Sequence, residues 1–129
     1  MKHAVLLTVH NNTTIVKTLI RILDDSRFSF YLLKDSKSDV DIEKFVPELK
    51  NASITLLEPQ KMYWAGFSQI DAEFKLIERA VKDSPDFLHY LNGADLPLKT
   101  ADEIDAFFEE NRSDIFIDTG DKPDFVLRL

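Results

Sequence analysis

"DFLHYLNGADLPLKT", residues 86–100, holds an apolar run, a polar joint and the start of a helix in immediate succession. "DFLHYL" (86–91) reads as a strand, and Thr100 with Glu103 reads as the cap of a helix carrying Ile104, Phe107 and Phe108. Between them lie a small residue, Gly93, a lone acid, Asp95, and a stiff Pro97. The same strand, joint and helix recur upstream. "AVLLTV" (4–9) is followed by "HNN" and a helix over 13–24, in which Ile15, Val16, Leu19, Ile20 and Leu23 fall at helical spacing. "FSFYLLK" (28–34) leads into a short helix opened by Ser38 and Asp41, with Ile42, Phe45, Val46 and Leu49 inward and Pro47 shortening it. "SITLLE" (53–58) precedes the irregular "PQKMYWAG". Ser68 and Asp71 then open the longest helix, with Ile70, Phe74, Ile77 and Val81 in one stripe. "DIFID" (114–118) reads as a fifth strand. Alternation of this kind predicts one α/β domain over 1–129, a mostly parallel sheet with helices on both faces.

The totals exclude several functions. With no cysteine in 129 residues, disulfides, thiolate metal sites and cysteine nucleophiles are ruled out. A net charge of −7 argues against a nucleic-acid backbone or an anionic membrane as the main partner. No apolar run approaches the roughly 20 residues of a membrane span, and the amino terminus lacks a cleavage pattern, so a cytoplasmic chain is expected.

In a parallel sheet, ligands bind outside the carboxyl ends of the strands, near a topological switch point. "VHNN", "KDSKS" and the stretch from Asn92 to Asp95 each end a strand and would share that rim. The glycines (Gly66, Gly93 and Gly120) are too few and too scattered for a dinucleotide fingerprint or a Walker loop. "TVHNN" lacks the acid of a phosphorylated receiver domain, and Asp24 and Asp25 lie at the opposite end of the sheet. His3, His10 and His89 show no metal-ligand spacing, and His89, inside an apolar strand, reads as structural. The one Asp-x-Asp pair, Asp39 and Asp41, sits where a helix begins and reads as dipole stabilisation rather than a cation site. The end of the fourth strand carries a single acid, which favours a site working without metal. At the rim, Asp95 reads as turn chemistry or a ligand contact, His10 as a helix entry or a ligand contact, and Lys37 as solvated or ligand-binding. Trp64, beside Tyr63 and Phe67, reads as a core plug or a ligand contact.

Taken in order, "AVLLTVHNN", "YLLKDSKSD", "YWAGFSQIDAEFKLIERAV" and "YLNGADLPLKTADEIDAFFEEN" resemble the N-terminal half of the core-2/I-branching enzyme family, β-1,6-N-acetylglucosaminyltransferases grouped with the peptide O-xylosyltransferases. The most specific part is Trp-x-Gly-x-Ser at Trp64 to Ser68 coupled to Gly-x-Asp-x-Pro-x-Lys at Gly93 to Lys99. The resemblance implies a GT-A type fold and inverting transfer of N-acetylglucosamine or a related sugar from a UDP-sugar to a sugar or protein hydroxyl, with no metal or other cofactor. By the same resemblance Val9 and His10 would line the uridine pocket, and Asp35 and Lys37 would sit near base and ribose. Trp64 and Ser68 would lie close to the donor. Asp95 would face its sugar or phosphates, with Gly93 allowing close approach and Pro97 fixing the exit into the helix. The basic residues of "KDSKS" are spaced differently from the family pattern. The chain ends at "DFVLRL", about where the family's second half begins with its general base and its diphosphate-neutralising cations. A donor-binding half with little transfer activity by itself is therefore expected, able to self-associate through its apolar C-terminal edge. The setting it suggests is bacterial surface-polysaccharide synthesis. The alternative is a non-catalytic α/β module that binds a nucleotide or a partner.

Overall fold

The computed structural model describes residues 1–11, 13–45, 48–91 and 93–116. Four strands, β1 (His3–Val9), β2 (Phe28–Lys34), β3 (Ser53–Leu56) and β4 (Phe87–Leu91), form one all-parallel sheet in the order β3-β2-β1-β4. The helices between and after them are α1 (Thr13–Ile22), α2 (Ile42–Phe45), α3 (Phe67–Val81) and α4 (Ala101–Glu110). From β1 the chain steps outward twice, through β2 to β3, then returns past β1 to β4. Because parallel crossovers are right-handed, that reversal sends α3 to the opposite face from α1 and α2.

Strand alternation sorts the core accordingly. Val5, Leu7, Val9, Phe28, Phe30 and Leu32 pack against Val16, Leu19, Ile20 and Leu23, with Ile104 of α4 on the same face. Ala4, Leu6, Tyr31 and Leu33 pack against Met62 and the α3 residues Ala72, Leu76 and Ala80. The parallel sheet with helices on both faces is as expected, with β2 at its expected bounds and the other strands within two residues of theirs. Asp24 lies at the amino end of the sheet, where its carboxylate receives the amides of Lys50, Asn51 and Ala52 and ties down the entry to β3.

Four local expectations are corrected. Of the stripe Ile70, Phe74, Ile77 and Val81, Ile77 packs against the core, partly buried, but the rest does not form the buried face of α3. Ala72, Leu76 and Ala80 form it, while Phe74 is 65% exposed and Ile70 and Val81 about half. The helical period was right but its phase was not: small alanines let α3 lie close to β1 and β2, and the larger residues fall on its flank. Ser38 does not cap α2. Asp41 does so, its Oδ1 accepting from the Lys44 amide at 3.4 Å, as the dipole reading of that acid anticipates. Helix α3 starts before Ser68, with Gly66 as its N-cap and no side chain closing it, and Asp71 pairs with Lys75 at 2.9 Å instead. In "DIFID", residues 114–116 are irregular and 117–118 lie outside the described residues. Phe116, still half exposed, turns back onto Phe107 and Phe108, with ring centroids 5.3 and 5.4 Å away. The expectations for Val46, Pro47, Asn92 and the C-terminal edge "FVLRL" also fall outside the described residues.

Thr100 and Glu103 do form a complete capping box: Thr100 Oγ1 accepts from the Glu103 amide at 3.3 Å and Glu103 Oε2 accepts from the Thr100 amide at 2.9 Å. Thr100→Ala should lower unfolding stability by about 1 kcal/mol, read as a shifted urea midpoint with an unchanged slope. An unchanged midpoint would mean that the cap contributes nothing to α4.

Candidate functional site

The carboxyl ends of β1 and β2 meet around one buried carboxylate. Asp35 follows β2 directly and is 5% exposed. Its amide donates to the Val9 carbonyl at 2.8 Å, which carries the sheet register one residue past both strands. Asp35 Oδ1 accepts from the amides of Lys37 at 3.0 Å and Met62 at 3.3 Å. Oδ2 lies 3.2 Å from His10 Nδ1 and 3.7 Å from Lys37 Nζ. Burial by itself would raise this carboxyl. The Lys37 and Met62 amides, the Lys37 ammonium and the His10 ring outweigh it and hold Asp35 below its ordinary value. With both oxygens engaged, Asp35 gathers the groups around it more than it offers itself to a ligand.

Ser38, also buried, closes the other side: its Oγ sits 2.8 Å from the His10 carbonyl and 3.0 Å from the Asn11 side chain. This is the role it takes in place of helix capping. The loop after β3 is stitched to the same cluster. Gln60 bridges to Asp35, and the Ser36 amide donates to the Gln60 carbonyl at 3.0 Å. Gln60 Nε2 in turn donates to the Ser68 carbonyl, and Ser68 Oγ accepts from the Tyr63 amide at 2.8 Å. Lys37 Nζ stands 4.5 Å above the Tyr63 ring. The turn between is tight: a Cβ on Gly66 would come within 3.1 Å of the Tyr63 carbonyl oxygen, and Ala65 has φ 55°.

So His10, Asp35 and Lys37 are brought together, and Ser68 is joined to them through Gln60 and Tyr63. Trp64 tops the same turn at 91% exposure, which excludes the core-plug reading. Val9 is fully buried, its side chain facing the α1 core, so what it offers at the rim is backbone. Asp95 is exposed on the other side of the sheet. There it lines an apolar cavity of about 190 Å³ with Leu19, Leu91, Pro97 and Ile104, while Gly93 is buried beside it.

Sequence reasoning passed over a second set of residues. On the α3 side a recess of about 330 Å³ is lined by His10 together with Thr8, Met62, Gln69, Ile70, Glu73 and Tyr90. Burial pushes the Tyr90 phenol above its ordinary value, the Thr8 hydroxyl pulls it back in part, and the Glu73 charge adds to the rise. The signals were there in retrospect: Thr8 is the lone hydroxyl in "AVLLTV", Tyr90 shares its sheet face, and Gln69 and Glu73 are one helical turn apart. His89 is structural, as expected. It faces His3 at 2.9 Å, and His3 reaches Asp105 at 3.0 Å, at the far end of the sheet.

Among the described residues no group of three His, Asp or Glu side chains is arranged to hold a metal ion, and no helix is long and apolar enough to cross a membrane. Comparison with curated proteins returns no match. The family model described as Core-2/I-Branching enzyme matches residues 4–128, nearly the full chain, and the all-parallel sheet with helices on both faces is consistent with a GT-A type fold. On that match the chain belongs to the core-2/I-branching enzyme family, a family of glycosyltransferases.

Proposed function

We propose that the rim around Asp35 binds a UDP-sugar, and that the chain is the donor-binding portion of an inverting, metal-independent transferase of N-acetylglucosamine or a related sugar. The observation that supports this most is the Asp35 cluster. One buried carboxylate fixes His10 and Lys37 at the ends of β1 and β2, beside the switch point between β1 and β4, and the recess opens next to it. In this reading Asp35 positions, while His10, Lys37 and the exposed rings of Tyr63 and Trp64 meet the nucleotide. Ser68 holds the Trp64 turn in place, and Val9 contributes backbone. Asp95 approaches the sugar or the phosphates from the β4 side. The acceptor oxygen attacks the anomeric carbon as the bond to the diphosphate breaks, and UDP leaves with inversion. We assign no general base among these residues.

The test is thermal unfolding with UDP, UDP-sugars and ATP, each with and without EDTA. A ligand at about 100 times its Kd should add roughly 2.7 kcal/mol, several degrees in midpoint for a domain of this size. A rise confined to uridine nucleotides and indifferent to EDTA is expected; loss of the rise in EDTA would overturn metal independence. One observation favours the alternative of a partner-binding module. Ile70, Phe74 and Val81 of α3 and Leu88 and Tyr90 of β4 are exposed together on one side of the sheet. That reading gains if no nucleotide shifts the midpoint.

A further inference from the structure

Resting on the nucleotide-sugar reading above, we propose that Glu73, with Gln69, forms the subsite for the transferred sugar and restricts the donor to neutral sugars, excluding uronates. Both side chains line the recess that opens beside His10, and both come from the first turns of α3. Neither makes a side-chain hydrogen bond or ion pair among the described residues. The two carboxylates of this region are therefore in opposite situations. Asp35 is surrounded by two amides, an imidazole and an ammonium, whereas Glu73 has no ion-pair partner among the described residues and shares its recess with His10 and the hydroxyls of Tyr90 and Thr8. A diphosphate set against Glu73 would face an uncompensated like charge, so the phosphates belong on the Lys37 side. The group best suited to the Glu73 side is a pyranose, whose hydroxyls donate to the carboxylate and accept from the Gln69 amide and the Thr8 and Tyr90 hydroxyls. A carboxylate on that sugar would meet Glu73 with repulsion.

UDP-glucose and UDP-glucuronate differ only at C6, where a hydroxymethyl group is replaced by a carboxylate, so they isolate this charge. Calorimetric titration of the full chain should show UDP-glucuronate binding at least about tenfold more weakly than UDP-glucose, the effect of a like charge held a few ångströms away in a partly buried site. In Glu73→Gln the gap should shrink to within about threefold, with the affinity for UDP itself unchanged and the ligand-free unfolding midpoint held. Equal binding of the two sugars by the parent chain, or a gap that persists in Glu73→Gln, overturns the proposal while leaving the nucleotide site intact. Failure of UDP itself to bind removes the nucleotide-sugar reading and this subsite with it.

Discussion

Asp35→Ala is expected to lower folding stability by roughly 2–4 kcal/mol and to abolish any nucleotide-dependent rise in the unfolding midpoint. The size follows from what the carboxylate satisfies. Two backbone amides, those of Lys37 and Met62, donate to Oδ1, and the Met62 donor is buried. Removing the acceptor strands them, and a buried unmet donor costs on the order of 1–3 kcal/mol. The ion pairs add less, since the His10 and Lys37 side chains are 43% and 44% exposed and water screens them. Asp35→Asn separates the two consequences. Its side-chain oxygen still accepts from the amides, so most of the stability should remain. Its NH2 group now faces the His10 ring and the Lys37 ammonium, and it brings no charge to hold them. The nucleotide response should fall even though the protein folds. The outcome that sinks this account is an Asp35→Ala protein within about 0.5 kcal/mol of the parent that responds fully to UDP, because the cluster would then position nothing.

Which parts of this arrangement were legible in the sequence depends on what fixes each residue. β1 and β2 follow from apolar runs buried on both faces, and the outer β3 and β4 from short apolar runs that are only partly covered, so all four could be read almost residue by residue. The phase of α3 could not. Two of its three fully buried residues are Ala72 and Ala80, either side of Leu76, and hydrophobicity alone ranks them below the flanking Phe74 and Ile70; at those two positions close approach to the sheet selects size over apolarity. The serines were misjudged for a related reason. Ser38 and Ser68 stand where a capping residue would stand, but each hydroxyl is taken by a partner distant in sequence or outside the helix, His10 and Tyr63 respectively. Trp64 shows the reverse: a lone tryptophan is a large apolar group, yet the tight turn at Ala65 and Gly66 lifts it away from the core. The rim itself could be located from strand ends, and His10 with Asp35 and Lys37 is the part the fold assembles. Which face of the sheet Asp95 would occupy depended on the path of the loop after β4, and no local pattern encodes that path.

The second large effect expected is a loss of about 3 kcal/mol between pH 6.5 and pH 4, with its origin at the end of the sheet opposite the rim. Asp105 is ionised and accepts, so the proton on His3 sits on Nε2, leaving Nδ1 to accept from His89 Nε2–H. The ring of Phe108 lies 4.7 Å from that of His89, and Phe87 covers the other flank. Burial, and then the neighbouring His3, bring the His89 imidazole down from 6.5 to about 4. The unfolded chain therefore takes up a proton as pH falls through 6.5, while the native chain does so only near 4. Stability is complete above 6.5, declines through that window and levels off below it. A separate decline follows at lower pH. Asp25, hydrogen-bonded to Arg27, and Asp105, hydrogen-bonded to His3, are held at about 2, so they lose their contribution between the ordinary carboxylate range and that value. Urea unfolding at closely spaced pH should thus fall in two steps. In His89→Gln the upper step should largely vanish, although the variant is weaker than the parent at neutral pH because its contact with His3 is lost. A parent chain whose stability is flat from pH 6.5 to 4 would show that His89 takes up its proton without opposition, and that the buried pair is open to water in solution.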